Sequence, residues 1–405
     1  MKLSIVGGGP AGLRAAEIAL EAGASVTLFE GKPSVGRKFL IAGHGGLNLT
    51  HSDKIETFAS RYSGGIPNEI WVSLLNDFSN QDMRIWASKL GVDTFIGSSG
   101  RIFPREMKAA TLLLMWIRRL NSLGISLKTS HLLKHIELKD GRFVLTFLTL
   151  EGEVLAESDA VILALGGASW PDTGSEANWL SLISSFGIPI KPLEPANCGW
   201  EVNWSLVNKD AIFKEIEGKP LKNIRVTAEG KTILGELLIT KYGLEGGALY
   251  QLGNILRSMK EPKLYIDLKP SFSKQELEEK IKDYSNDLIK DITKAWRLTP
   301  AALFLLRCFT PGTNDRLTIC NSAKNLLIPL VRPRPIAEAI SSAGGVSFDC
   351  LDEYLMIKTL PGLFFAGEML DWEAPTGGYL LQGCFSTGTR AAHGAIRFMS
   401  HIQKT

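Results

Sequence analysis

Cysteine is scarce in this chain of 405 residues. Cys198, Cys308, Cys320, Cys350 and Cys384 are scattered along it, and no two form a C-x-x-C pair. An odd count without that spacing excludes a disulfide framework and a zinc ribbon, and reads as a reduced, cytoplasmic chain. Charge of one sign is also missing: 45 basic side chains face 42 acidic ones. That balance offers no basic face for nucleic acid and no reason to seek a membrane surface, so neither partner is expected. No apolar run approaches the roughly 18 residues of a membrane span. "AALFLLRCF" at 301–309 is too short and reads as a buried helix. The opening "MKLSIVGGG" reads as a strand entering a turn rather than a secretory leader. No G-x-S-x-G elbow supports a serine hydrolase. His131 and His135 stand four apart in a predicted strand without an acidic partner pattern, so no metal site is expected.

Glycine is abundant, and its placement carries information. Leu3, Ile5 and Val6 begin a short buried strand, after which Gly7, Gly9 and Gly12 stand in G-x-G-x-x-G order. The first glycine permits a tight turn, the second lets the backbone approach a pyrophosphate, and the third lets the next helix pack on the strand. Leu13, Ala16, Ile18, Ala19 and Leu20 give that helix an apolar face, Gly23 ends it, and Val26, Leu28 and Phe29 form a second strand stopping at Glu30. An acid about twenty residues past the glycines is the expected partner of a ribose 2′-hydroxyl, and it disfavours a 2′-phosphate. The helix start offers unpaired N–H groups and a positive dipole end to a pyrophosphate.

Further along, residues 68–91 read as helical and "MKAATLLLMWIRRLNSLGI" as another helix closed by Gly124. "SLKTSHLLKHIEL" and "RFVLTFL" read as a hairpin turning at Asp140–Gly141. "DAVILALGGASWPDTGS" is a buried strand followed by a glycine turn. After Ile190 the texture changes to short alternating strands, then to a helix begun by the capping pair Ser273 and Glu276. Strand and glycine chemistry return after "VRPRP" at 331–335. The order predicts an α/β fold with a discontinuous cofactor domain, residues 1–190 and 335–405. Residues 191–334 are then an insert, mainly β to 270 and mainly helical from 271. No second G-x-G-x-x-G marks a separate nicotinamide domain, which disfavours a pyridine-nucleotide–disulfide reductase.

"GGGPAG…E", "LALGG" at 163–167 and "LPGLFFAGEMLD" at 360–371 are spaced as in flavoproteins of the two-dinucleotide type. "GRK" at 36–38, "GELLITKYGLEGG" at 235–247, "AGGV" at 343–346 and "GGYLLQGCFSTG" at 377–388 narrow the match. Over essentially its whole length the chain resembles the HI0933-like FAD flavoproteins, the group of YhiN, aminoacetone-oxidase-like and BaiN-like proteins. It departs from them at 43–51, where "GHGGLNLTH" stands for the usual G-G-G-R-C-N-x-T-N. Asn48 and Thr50 remain, whereas Gly46 and Leu47 occupy the arginine and cysteine positions, so a role for that pair does not carry over.

The resemblance implies a Rossmann-like FAD-binding domain with a β-barrel-like and helical insert, and non-covalent FAD as cofactor. It implies cofactor contacts from Gly7, Gly8, Gly9, Pro10, Ala11 and Gly12, and from Phe29, Glu30 and Gly31. It adds Arg37, Lys38, Gly43, Asn48 and Leu133, then Ala164, Leu165 and Gly166. From the C-terminal motifs it adds Gly367, Glu368 and Asp371, then Gly377, Gly378, Tyr379, Leu380 and Gln382. A helix opening at "GGYLLQG" would turn its N–H groups to the flavin N1–C2=O edge.

The implied activity is hydride transfer through flavin N5. It would be either oxidation of an amine or NAD(P)H-dependent reduction of an unsaturated compound, with NAD(P)H a transient reductant. The rival is a flavin-binding module without turnover. No catalytic residue is assigned. Lys241 and Tyr242, in the insert's turn, are candidates for the substrate cleft, with turn packing as the alternative. His44 and His51 read as hydrogen-bonding loop residues. Cys384, near a helix start that could lower its pKa, reads first as a small buried side chain.

Overall fold

The structure, a computed structural model, describes residues 1–43, 46–204, 216–281, 288–310 and 315–403. It divides into two compact units, Met1–Glu194 with Ser341–Thr405, and Pro195–Ile340. Strands Ile190–Ala196 and Ser341–Val346, where the chain leaves and re-enters the first unit, pair with each other.

The first unit is built on a five-stranded parallel sheet. Its central strand β1 (Lys2–Val6) has β2 (Ser25–Phe29) on one side and Ala160–Leu163 on the other. Leu363–Phe365 and Ser126–Lys128 form the edges. Ile5 faces Leu28 and Ile162 across the ladder, and all three are fully buried, as an apolar run covered on both faces requires. Helix α1 (Pro10–Glu21) returns the chain from β1 to β2, and the C-terminal helix Tyr379–Ile402 packs along α1. The parallel register brings the carboxyl ends of four strands together, so Gly7, Glu30, Ala164 and Ala366 follow them at one edge of the sheet. Ligands of open α/β sheets bind at that edge, where the strand order reverses.

The hairpin turns at Asp140 and Gly141, whose φ of +50° and +77° suit the two central residues of a type I′ turn. The structure adds a third strand to it, Gly152–Ser158, which pairs with Arg142–Thr149. The helix expected over 68–91 is two, Asn68–Asp77 and Asn80–Lys89. The chain breaks at Phe78 because Ser79 and Asp82 cap the second helix reciprocally.

The second unit holds one antiparallel sheet of six strands. Five of them lie between Trp200 and Asp267. The sixth, Leu326–Pro329, comes from the part expected to be helical, because it pairs with Lys263–Asp267. Helix Lys274–Glu279 is capped by Ser273 and Glu276 as the pattern predicted. Leu277, Ile281 and Ile292 are buried in this unit's core. No helix among the described residues is long and apolar enough to cross a membrane.

Candidate dinucleotide site

The turn after β1 dictates the shape of the site. Gly7 has φ +110°, and a Cβ there would lie 2.2 Å from the Ala164 carbonyl oxygen. A Cβ at Gly12 would lie 2.0 Å from the Gly7 carbonyl oxygen, so helix and strand meet at backbone contact. Gly9 differs: it caps α1 in extended backbone, and a Cβ there would meet no described atom within 4 Å. That space belongs to a cavity of about 290 Å³, lined by the turn, by Glu30 to Lys32, and by Arg37, Lys38 and Leu133. Ala164, Leu165, Gly166, the segment Thr173–Trp179, Gly367, Glu368 and Cys384 also line it.

Glu30 closes the turn. One carboxylate oxygen accepts the Gly8 N–H at 2.7 Å and the other accepts the Lys32 N–H at 2.8 Å. Burial pushes its pKa up, against the pull of those two N–H groups and of Lys32 and Arg37. Lys38 and Glu368, 330 positions apart, form an ion pair at 2.7 Å. Lys38 also donates to the Ser169 hydroxyl at 2.6 Å, and Glu368 accepts the Ser342 N–H at 2.9 Å. These bonds tie helix α2 (Arg37–Ala42) to the turn after Leu363–Phe365. The Cys384 thiol is pushed up to about 12, by burial first and then by the negative charge of Glu368. The helix start therefore does not activate it.

The structure thus gathers Gly7, Gly8, Gly9, Pro10, Ala11, Glu30, Gly31, Arg37, Lys38, Leu133, Ala164, Leu165, Gly166, Gly367 and Glu368 around one cavity. Gly12 lies behind it as packing. Phe29 turns its ring away and stacks on Phe147 with centroids 4.0 Å apart. Asp371 is buried against Lys191, at 3.0 Å.

A second group forms at the start of the C-terminal helix. A Cβ at Gly378 would lie 2.5 Å from Thr50 Cα, and the Tyr379 hydroxyl donates to Asp53 at 2.7 Å. The Tyr379 ring also stacks on His51, centroids 5.3 Å apart. The fully buried Gln382 accepts from the Thr50 hydroxyl at 2.8 Å and donates to the Phe78 carbonyl at 2.7 Å. Gly377 and Leu380 flank these residues. Asn48 precedes Thr50 by two, and its Oδ1 is buried with no hydrogen-bond partner among the described residues. Gly43 ends α2, where a Cβ would lie 2.3 Å from that of Ala109. His44 lies outside the described residues.

In the other unit, Lys241 is exposed and pairs with Glu217 at 3.3 Å, and Arg334 lies 4.3 Å over the Tyr242 ring. Sequence reasoning missed Lys32, Ser175, Glu176 and Trp179. Their signal was available: the loop after a strand beside β1 ends at the same edge of the sheet.

The family model described as the HI0933-like protein Rossmann domain matches residues 1–394. The chain belongs to that family. A 3-dehydro-bile acid Δ(4,6)-reductase from Clostridium scindens is 26% identical, over 97% of this chain and 98% of its own. A ribosomal RNA dihydrouridine synthase from Haemophilus influenzae is 25% identical, over 96% of each. Among solved structures, the 3-ketosteroid-Δ4-(5α)-dehydrogenase of Rhodococcus jostii RHA1 superposes with a TM-score of 0.55. It is 14% identical, over 97% of this chain and 96% of that one, a likeness of fold. This HI0933-like chain is accordingly a flavoprotein oxidoreductase of the FAD-dependent class with a Rossmann-type domain.

Its first unit fits that cofactor. The cradle at Gly9 is open, Glu30 lines the cavity beside it, and Arg37 Nε and Ser175 Oγ are buried with no hydrogen-bond partner among the described residues.

Proposed function

We propose that the protein is a reductase that saturates a carbon–carbon double bond conjugated to a carbonyl in a small molecule, using NADH or NADPH as donor. The cavity at the sheet's carboxyl edge, with an open Gly9 cradle and Glu30 beside it, carries the cofactor part of this reading. The relatives support the substrate class: the names of both the bile acid reductase and the dihydrouridine synthase describe adding two hydrogens across a double bond next to a carbonyl. FAD, when bound, would supply a two-electron carrier between the nicotinamide donor and the conjugated carbon, with the second hydrogen arriving as a proton from solvent.

The chain's own residues hold and orient. Glu30 accepts from the ribose hydroxyls. The first N–H groups of α1 and the Arg37 guanidinium face the pyrophosphate charge. Lys38 and Glu368 hold the ribityl side of the site through their ion pair. The start of the C-terminal helix, Gly378 to Leu380, offers N–H groups to the ring's carbonyl edge and stabilises negative charge there. Lys241 and Tyr242 contribute to substrate choice. FAD is held non-covalently, and the chain works in the cytoplasm, in line with five cysteines none of which is in a disulfide.

A second reading rests on the dihydrouridine synthase relatives, at 25% and 21% identity. It makes a uracil ring in ribosomal RNA the conjugated substrate, against the balanced charge of this chain. Anaerobic stopped-flow with purified holoprotein decides. Reduction of the flavin by NADH or NADPH, followed by reoxidation with a 3-oxo-Δ4 steroid, supports the first reading. Reoxidation by unmodified ribosomal RNA alone supports the second. Reduction by an amine but by neither nicotinamide overturns both, and no reduction by any of them leaves a flavin-binding module.

A further inference from the structure

The strand Ala160–Leu163 is followed by a turn and then by the segment 170–178, of which residues 173–178 line the cavity. Trp170 and Ala177 bracket it, and both hold left-handed φ of +57° although neither is glycine. Such backbone persists only where surrounding contacts hold it. The Thr173 hydroxyl donates to the Trp170 carbonyl at 2.7 Å, and the buried Trp179 indole donates to the Gly166 carbonyl at 2.9 Å. Between these anchors the segment is pinned from the opposite wall: Lys32 pairs with Glu176 at 2.6 Å. Asn178 donates to the other Glu176 oxygen at 2.7 Å. Lys32 and Glu176 both line the cavity, so the pair bridges its acid side and its strap side. A Cβ on Gly174 would lie 3.1 Å from Lys32 Cγ and 3.8 Å from a Glu30 carboxylate oxygen, which places the strap beside the ribose acid.

One side chain of the strap has no partner of its own. Ser175 is 6% exposed, lines the cavity, and its hydroxyl oxygen is buried without a hydrogen bond among the described residues. A buried hydroxyl in that state is costly unless a ligand satisfies it.

We propose that residues 170–178 are a clasp for the adenosine end of FAD, in which the Ser175 hydroxyl bonds the bound cofactor and the Lys32–Glu176 pair keeps the segment closed. The inference rests on the FAD reading above and goes beyond it, because it assigns retention of the cofactor to a segment outside the glycine fingerprint. Release of FAD then waits for an ion pair to break and for the two left-handed positions to relax.

The test is the rate at which FAD leaves the holoprotein on dilution, followed by recovery of flavin fluorescence. Lys32→Met and Glu176→Gln should each speed release roughly two- to fivefold, the scale of a partly exposed ion pair. The double variant should be no faster than the faster single one, because both changes remove one interaction. Raising salt from about 0.05 to 0.5 M should speed release more from the wild type than from the double variant. Ser175→Ala should speed release roughly two- to tenfold, as for one hydrogen bond. Multiplying effects in the double variant, or an equal salt response, would overturn the ion-pair latch. An unchanged rate in Ser175→Ala would overturn the hydroxyl contact. A wild-type protein that holds no FAD would overturn the reading beneath the clasp, whereas tight FAD with equal rates in every variant would overturn the clasp alone.

Discussion

Replacing Gly9 and replacing Gly12 with alanine should have opposite consequences, although the two glycines belong to one fingerprint. Gly9 has φ −80° and ψ −179°, which any L-residue adopts, and its added methyl would meet no described atom within 4 Å. The ligand-free protein should therefore keep its stability, or gain about 0.4–1 kcal/mol because the unfolded chain loses freedom. The methyl instead fills the cradle in front of the first N–H groups of α1. Displacing an anionic cofactor from one charge-assisted hydrogen bond there costs about 1.5–3 kcal/mol, or roughly ten- to 150-fold in Kd.

At Gly12 the methyl would stand 2.0 Å from the Gly7 carbonyl oxygen, a backbone atom at the centre of the sheet edge. Helix α1 must then move off β1, and overpacking of that kind costs about 1–3 kcal/mol of stability. Urea unfolding without FAD and fluorescence titration with FAD separate the two. Gly9→Ala that binds FAD like the wild type would refute the assignment of the cradle. Gly9→Ala that loses more than about 1 kcal/mol of ligand-free stability would refute the claim that the space before α1 is open.

Glu30→Ala should weaken FAD binding by about 1.5–3 kcal/mol, and an unaltered titration would show that Glu30 is not the ribose acid. Because burial raises the Glu30 pKa above its ordinary 4.5, the folded ligand-free state holds that proton more tightly than the unfolded one. The group's contribution is then fully present below 4.5 and is lost as pH rises through its raised value, so Glu30→Gln should flatten this part of the pH dependence of the urea midpoint. Glu17 is 1% exposed and accepts from Arg14 at 3.1 Å, Trp86 at 2.9 Å, Trp116 at 3.1 Å and Arg119 at 2.7 Å. Glu17→Ala strands a buried guanidinium and should cost about 3–5 kcal/mol in urea unfolding read by tryptophan fluorescence; a loss below about 1 kcal/mol would contradict that network. With its thiol pushed from the ordinary 9.0 up to about 12, Cys384 should alkylate at pH 8 roughly a thousandfold more slowly than an exposed cysteine. Mass spectrometry after iodoacetamide checks this, and rapid labelling at that position would contradict it.

The parts of the site that were legible in the sequence are those whose meaning is local. A strand, a glycine turn, a helix and a strand ending in an acid state their own geometry, because they follow one another within one short stretch and Gly12 answers to the Gly7 carbonyl five residues away; the atom that Gly7 itself must clear, the Ala164 carbonyl oxygen, is distant in sequence. Helix 68–91 was misread as one piece because its apolar face continues through Phe78, and only the reciprocal cap of Ser79 and Asp82 breaks it. Strand Gly152–Ser158 was not legible at all. Its side chains are mostly exposed and do not alternate, and pairing with Arg142–Thr149 is what makes it a strand. Asp371, which the resemblance implies as a cofactor contact, is placed by a turn after Gly367 and pairs with Lys191, a partner that the motif itself does not name.

The cavity's second wall was missed for a different physical reason. In "SWPDTGSEAN" serine, proline, aspartate, glycine and asparagine dominate, and a surface turn is what propensity reports. What makes the segment part of a site is the strand before it. Ala160–Leu163 lies parallel to β1 and runs the same way, so whatever follows it must emerge beside Gly7. The same argument holds for Leu363–Phe365, which delivers Glu368 to Lys38 across 330 positions of sequence. Neither partner announces the other. Once the strand order is fixed, however, the loops after β1, β2, Ala160–Leu163 and Leu363–Phe365 all emerge at one edge, and their polar residues become candidates for one ligand. Topology therefore selects Ser175 and Glu176 from a segment in which local pattern selects nothing, and it does so before any side-chain contact is considered.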